Sequence, residues 1–222
     1  MIVYRALIAL ACSVISFAPV AAAEAPSGQP APSEVKFIQS VQADLIHRFP
    51  TADDAQRAGY LRFTDEDETG SISYANRHWA SDLRHPSQLW YDVHGKLLGA
   101  DFSILKGTSP TPPHLWGINP KRWLPFRRPH VHYILKNPDG TLKYGLAVSG
   151  GKFAAAGGDV TKPDAATLLK MGAVKDDSAV QTVFEFPALW DLQVWVRPNP
   201  LGAFAEKNPN VTPSKDAGKG SM

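Results

Sequence analysis

Cysteine is all but missing from this chain of 222 residues: the single one is Cys12, inside an apolar N-terminal run. Past that run there is no thiol to pair as a disulfide, attack a substrate or bind a metal, so stability must come from a packed core. A strong excess of one charge is missing too. Lys and Arg number 23 against 21 Asp and Glu, which argues against a nucleic-acid partner, because such partners need a strongly basic face to displace counterions. No second long apolar run follows the first, so no transmembrane segment is expected once that run is removed. Catalytic signatures are also missing. There is no G-x-S-x-G elbow, no H-E-x-x-H and no carboxylate pair that spacing alone singles out, so no catalytic residue is assigned and an enzyme ranks behind a binding protein. Residues 145–152, GLAVSGGK, fail as a phosphate loop, with one residue too many and no Ser or Thr after the lysine.

What is present begins with a leader. Arg5 supplies a positive start, residues 6–19 form an apolar run too short to span a bilayer, and Ala21-Ala22-Ala23 offers a small-residue cleavage site. Residues 1–23 therefore read as a signal peptide, and the mature protein, starting at Glu24, is expected to be secreted or periplasmic. Lipid attachment at Cys12 is disfavoured, since Ala9 stands where leucine is usual and the apolar run continues past the cysteine. Residues 24–32, rich in Ala, Pro and Ser, read as a flexible linker, and residues 208–222, rich in Pro, Lys, Gly and Ser, as a flexible tail.

Between them, residues 33–207 read as a single α+β domain, with N-terminal helices packed on a mainly antiparallel β-sheet. Ser33 is placed to cap a helix in which Phe37, Ile38, Val41, Leu45 and Ile46 recur at helical spacing, closed by Pro50. Thr51 caps a second, short helix, with Asp54 at the capping-box position and Gly59 as the left-handed stop. The period then changes to that of strands. Residues 60–64, 88–92, 96–104, 131–136, 141–148, 182–186 and 189–197 have strand composition, with tight turns at His94-Gly95 and at Asn137-Pro138-Asp139-Gly140. One short helix, residues 163–171, interrupts them and stops at Gly172.

Two stretches carry candidate metal ligands. In RRPHVHYILKNPDG, residues 127–140, strand alternation puts His130 and His132 on one face about 6.5 Å apart, within reach of one ion, with Tyr133 on the other. Imidazole suits zinc or copper, and affinity should fall with acid through the imidazole range near ~6.5. His78, His85, His94, His114 or a carboxylate would have to complete the set. The plainer alternative is that both histidines form the wetter face of a half-buried strand. In residues 65–76, Asp65, Asp67, Thr69 and Gly70 fall where a calcium loop wants oxygens and its sharp turn, but Asn76 stands in place of the bidentate Glu. Calcium therefore ranks after zinc and copper, and an acidic turn between two strands accounts for the same letters. Residues 113–130 mix Trp116, Trp123 and Phe126 with Lys121, Arg122, Arg127 and Arg128, which suits either a sugar or acidic ligand or a loop anchored by its aromatics.

Residues 190–211, WDLQVWVRPNPLGAFAEKNPNV, resemble the closing motif of a family of secreted bacterial proteins without assigned function, in which an H-x-W-x-W strand precedes N-P-x-G-x-F and a second N-P. AGYLRFT, SISYANRHW and HPSQLWYDVHGKLLGADFSI resemble its earlier blocks, in order, so the resemblance spans about residues 51–213 with a less matched stretch at 107–187. This chain departs from that pattern at Ser73 and Gln193, where the family is expected to carry histidine. A metal role resting on those two histidines does not transfer. Three functions fit the sequence, in order: a secreted protein binding a metal ion or small ligand, a structural or self-associating (homo-oligomeric) envelope protein, and a hydrolase or isomerase whose site forms only in space.

Overall fold

The computed structural model describes residues 29–79, 82–126 and 128–219. The leader, its cleavage site and Cys12 lie outside the described residues. The protein is α+β, and its strands form two wholly antiparallel sheets.

Helix α1, Pro32–Arg48, starts one residue before the expected cap. Ser33 is drawn away: its hydroxyl donates to the Gly117 carbonyl at 2.7 Å. Glu34 closes the helix end instead, accepting from the Ala31 N–H at 2.9 Å. Phe37, Val41 and Leu45 are buried at the expected spacing, while Ile46 stays 54% exposed. Helix α2, Ala52–Arg57, is built as its letters specify: the Thr51 hydroxyl accepts from the Asp54 N–H, the Asp54 carboxylate accepts from the Thr51 N–H, and Gly59 takes φ +90°.

The larger sheet runs β1 (Leu61–Arg62), β2 (Ile72–Ala75), β3 (Gln88–Tyr91), β4 (Leu97–Leu105), β9 (Leu189–Trp195), β5 (Leu124–Phe126) in spatial order. One face, with Ile72, Tyr74, Leu89, Tyr91, Phe102, Leu192 and Val194, packs on Phe37, Val41, Leu45 and Phe49. The smaller sheet runs β7 (Leu142–Ser149), β6 (His130–Lys136), β8 (Val180–Phe186). Its outer face, with Val131, Tyr133 and Leu146, packs on Phe153 of α3 (Gly150–Ala155) and Leu168 of α4 (Ala165–Lys170). The inner faces meet through Phe63, Ala75, Trp79, Phe184, Phe186 and Leu189. Trp79 Nε1 also donates to the Glu185 carbonyl at 3.1 Å, and Gly145 N–H to the Phe63 carbonyl at 3.0 Å.

Residues 208–219 are tied down rather than hanging free as composition suggests. Val211 packs against Trp90, Leu98 and Trp195. The Glu66 carboxylate accepts from both the N–H and the hydroxyl of Ser214, and its carbonyl accepts from Gly218 N–H at 2.8 Å. Asn208 and Asn210 each donate from Nδ2 to the Pro198 carbonyl at 3.2 Å, so one apolar anchor and a set of hydrogen bonds order a segment with little apolar surface of its own. Among the described residues no helix is long and apolar enough to cross a membrane.

Candidate functional site

His130 and His132 open β6. His132 lies opposite Ala147 on β7 and Phe184 on β8, and His130 opposite Ser149 and Phe186. They share a face as alternation requires, but it is the dry one, turned into the space between the sheets: His132 is 9% exposed and His130 half-buried. The reading as the wetter face of a strand is therefore corrected. The His130 ring stacks on Phe186 at 4.6 Å between centroids, and His132 meets Phe63 edge-on at 4.8 Å and lies over Phe184 at 5.6 Å.

The two Nε2 atoms stand 3.0 Å apart. His130 Nδ1 lies 3.2 Å from the Arg128 carbonyl, which can only accept, so Nδ1 carries the hydrogen and Nε2 the lone pair. His132 must then donate from Nε2, which leaves its buried Nδ1 without a hydrogen-bond partner. Burial lowers both pKa values; for His132 the neighbouring His130 adds to it and the value falls to about 3. Both rings are neutral at ordinary pH, so the acid window near 6.5 expected from free imidazole moves downward. Two nitrogens bound to one ion at ~2.0–2.1 Å lie about 2.8–3.4 Å apart for angles from 90° to tetrahedral, and the observed separation falls in that range.

The other expected ligands do not join them. His78, His85, His94 and His114 are all exposed, and among the described residues no three His, Cys, Asp or Glu side chains gather as a metal site. In the acidic loop, Asp67 Oδ1 already accepts from Thr69 N–H at 2.8 Å, the Thr69 hydroxyl at 2.6 Å and Ser71 N–H at 3.1 Å, while Asp65 holds the Arg62 guanidinium at 3.2 Å. One oxygen each of Asp65 and Asp67 is held by protein donors and the Thr69 hydroxyl donates to Asp67, as in a polar turn between β1 and β2. Trp116 and Trp123 turn inward: Trp116 stacks on Phe37 at 5.8 Å and Trp123 is 2% exposed.

The sequence did not single out a second buried group. Asp101 on β4 and Asp191 on β9 are 5% and 2% exposed, on the face of the larger sheet turned away from α1. Trp90 Nε1 donates to Asp101 Oδ2 at 2.9 Å, and the Ser103 hydroxyl to Asp191 Oδ1 at 2.7 Å, with Ser87 joined to Ser103 at 2.6 Å. Asp101 Oδ1 is buried without a hydrogen-bond partner. The two carboxyls influence each other's protonation: the Asp191 charge raises Asp101, and the Asp101 carboxyl acts to lower Asp191, so Asp101 is the member that keeps its proton. Burial raises both pKa values, Asp101 well above the carboxylate range with the Asp191 charge adding, and Asp191 to about 6. Each aspartate interrupts a near-continuous apolar strand, ADF in one and WDL in the other. A charged residue inside a strand buried on both faces is the signal that could have found them. Ser73 and Gln193, where the resemblance expects histidine, lie on this same face: Gln193 opposes Asp101, and Ser73 opposes Trp90.

No family model, curated protein or solved structure matches this chain.

Proposed function

We propose that this chain is an exported protein that binds a transition-metal ion, zinc or copper, or a small ligand, on the histidine-bearing strand β6. The observation that carries this reading is the 3.0 Å between the Nε2 atoms of two neutral imidazoles. Neutral rings lend lone pairs without a net loss of protons: His130 already presents its own at Nε2, His132 does so once its hydrogen moves from Nε2 to the unpartnered Nδ1, and the Arg128 carbonyl orients His130 as a second-sphere acceptor orients a metal-bound histidine. Two imidazoles fill two coordination positions and leave the others to water or an outside donor.

Calorimetric titration with zinc and with copper, on the wild type and on His130→Ala, His132→Ala and Tyr133→Phe, tests it. One site is expected, weakened about 100-fold by either alanine and left nearly unchanged by Tyr133→Phe, whose ring lies on the opposite face. Between pH 7 and pH 5.5 affinity should fall less than free imidazoles would dictate, because burial lowers the pKa of both rings. No binding, or equal binding by all four proteins, would reduce the two histidines to aromatic packing. For export, intact-mass measurement of protein from the cell envelope or medium should give a chain starting at Glu24.

A further inference from the structure

Along β9 the face turned away from α1 carries, in order, Leu189, Asp191, Gln193 and Trp195. Leu189 belongs to the apolar cluster between the sheets, and Trp195 to the cluster with Trp90 and Leu98 that Val211 covers. The carboxyl pair therefore lies between two dry clusters, one of them covered by Val211 of residues 208–219 beside the Ala205 carbonyl, which accepts from Trp195 Nε1 at 2.6 Å. A hydrogen bond joins it to that cover's base: Trp90, on which Val211 rests, donates its indole N–H to Asp101. Nothing in the histidine site uses this pair.

We propose that the Asp101–Asp191 pair is a proton-operated latch that sets how tightly residues 208–219 are held against the sheet. With both carboxyls protonated the pair is neutral and the face stays dry. Releasing one proton leaves a negative charge on Asp191, steadied by the Ser103 hydroxyl and the Asp101 O–H, and a buried charge draws in water. The thinnest cover yields first, and here that is the strap, whose residues are exposed apart from the half-buried Val211, Ala217 and Gly218 and the buried Asn208. The raised pKa of Asp191, to about 6, puts the change within reach of ordinary environments.

Among the described residues, the side chains that face the pair from the neighbouring strands and the loop after β1 supply no cation to offset that charge. From β3 come the neutral Gln88 and Trp90, from β9 the neutral Gln193, and from the loop after β1 the carboxylate of Asp67, whose field raises Asp101 further. On the strap, Lys219 pairs with Asp216 at 2.7 Å and Lys215 is exposed. Glu66 anchors Ser214 by hydrogen bonds of its own, so it separates strap strength from latch response.

Amide hydrogen exchange of residues 209–219, corrected for intrinsic rates and read from pH 5.5 to 8.5, tests the latch. Protection in the wild type should fall about tenfold as pH rises, since the strap opens as a local unit. In the double variant Asp101→Asn/Asp191→Asn it should be flat. Glu66→Gln should lower protection at every pH with the wild-type slope, and Ser103→Ala, which removes a donor to the Asp191 charge, should move the midpoint upward. A pH-independent wild type, or a wild-type slope in the double variant, would overturn the proposal. Should the double variant not fold, an unmoved midpoint in Ser103→Ala would do the same.

Discussion

A single imidazole, His132, illustrates how far burial changes what a side chain offers. The folded chain refuses its proton down to about pH 3, whereas an unfolded histidine accepts one near 6.5. A base whose pKa is lowered by folding adds no penalty above its unfolded pKa and costs stability as pH falls below it, here by up to roughly 5 kcal/mol. His132→Phe, which keeps an aromatic body among Phe63, Phe184 and Phe186, should therefore lose much less stability than the wild type between pH 7 and pH 4. Urea midpoints taken in steps across that range check it; parallel losses would mean the ring takes a proton without resistance. That His130 and His132 meet was legible from alternation alone. That they meet in a dry space was not, because the rings enclosing them belong to residues 63, 184 and 186, and no local pattern says which strands will stack.

At the level of elements, letters that act locally were readable and letters that act at a distance were not. The capping box of α2 and the turn at Gly140, φ +85°, follow from neighbouring residues and stand as expected. Ser33 misleads because its hydroxyl is claimed by Gly117, 84 residues on. Strand β5 hides behind Pro125, tolerable only because β5 is an edge; α3 hides behind Gly150-Gly151, poor helix formers rescued by the Ser149 cap and Phe153 in the core. Glu34 is the clearest case of a residue whose work is long-range. Burial pushes its carboxyl up, yet the N–H groups of Ala31 and Asn119 and the Arg122 guanidinium together bring it below the usual range. Glu34→Ala strips a helix end and leaves a buried Arg122 short of its counter-charge, so it should cost about 3–4 kcal/mol, with Glu34→Gln costing less. Thermal melts of the two variants decide whether the site anchors the loop to α1, and equal small shifts would deny it.

Across the whole molecule the two buried sites pull stability in opposite directions with pH. From about pH 4 to 6 the folded chain keeps protons on Asp101 and Asp191 that the unfolded chain has released, so their contribution falls as pH rises. Over the same span the unfolded chain binds a proton on His132 that the fold rejects, and burial lowers the pKa of His130 as well, so their contribution rises. The wild type should look nearly flat there. The double variant Asp101→Asn/Asp191→Asn should gain stability with rising pH, and His130→Phe/His132→Phe should lose it; slopes of one sign in both would show the sites do not titrate as placed. The order of strands has a further consequence, in time rather than in energy. β4 lies at the centre of the larger sheet, and its second partner, β9, is made roughly ninety residues later, so the sheet cannot close while the chain is still short. Until Leu189–Trp195 emerges from the ribosome, β4 exposes one open edge and Asp101 has no companion for its proton, and the growing chain is held in a state that a narrow passage could still thread.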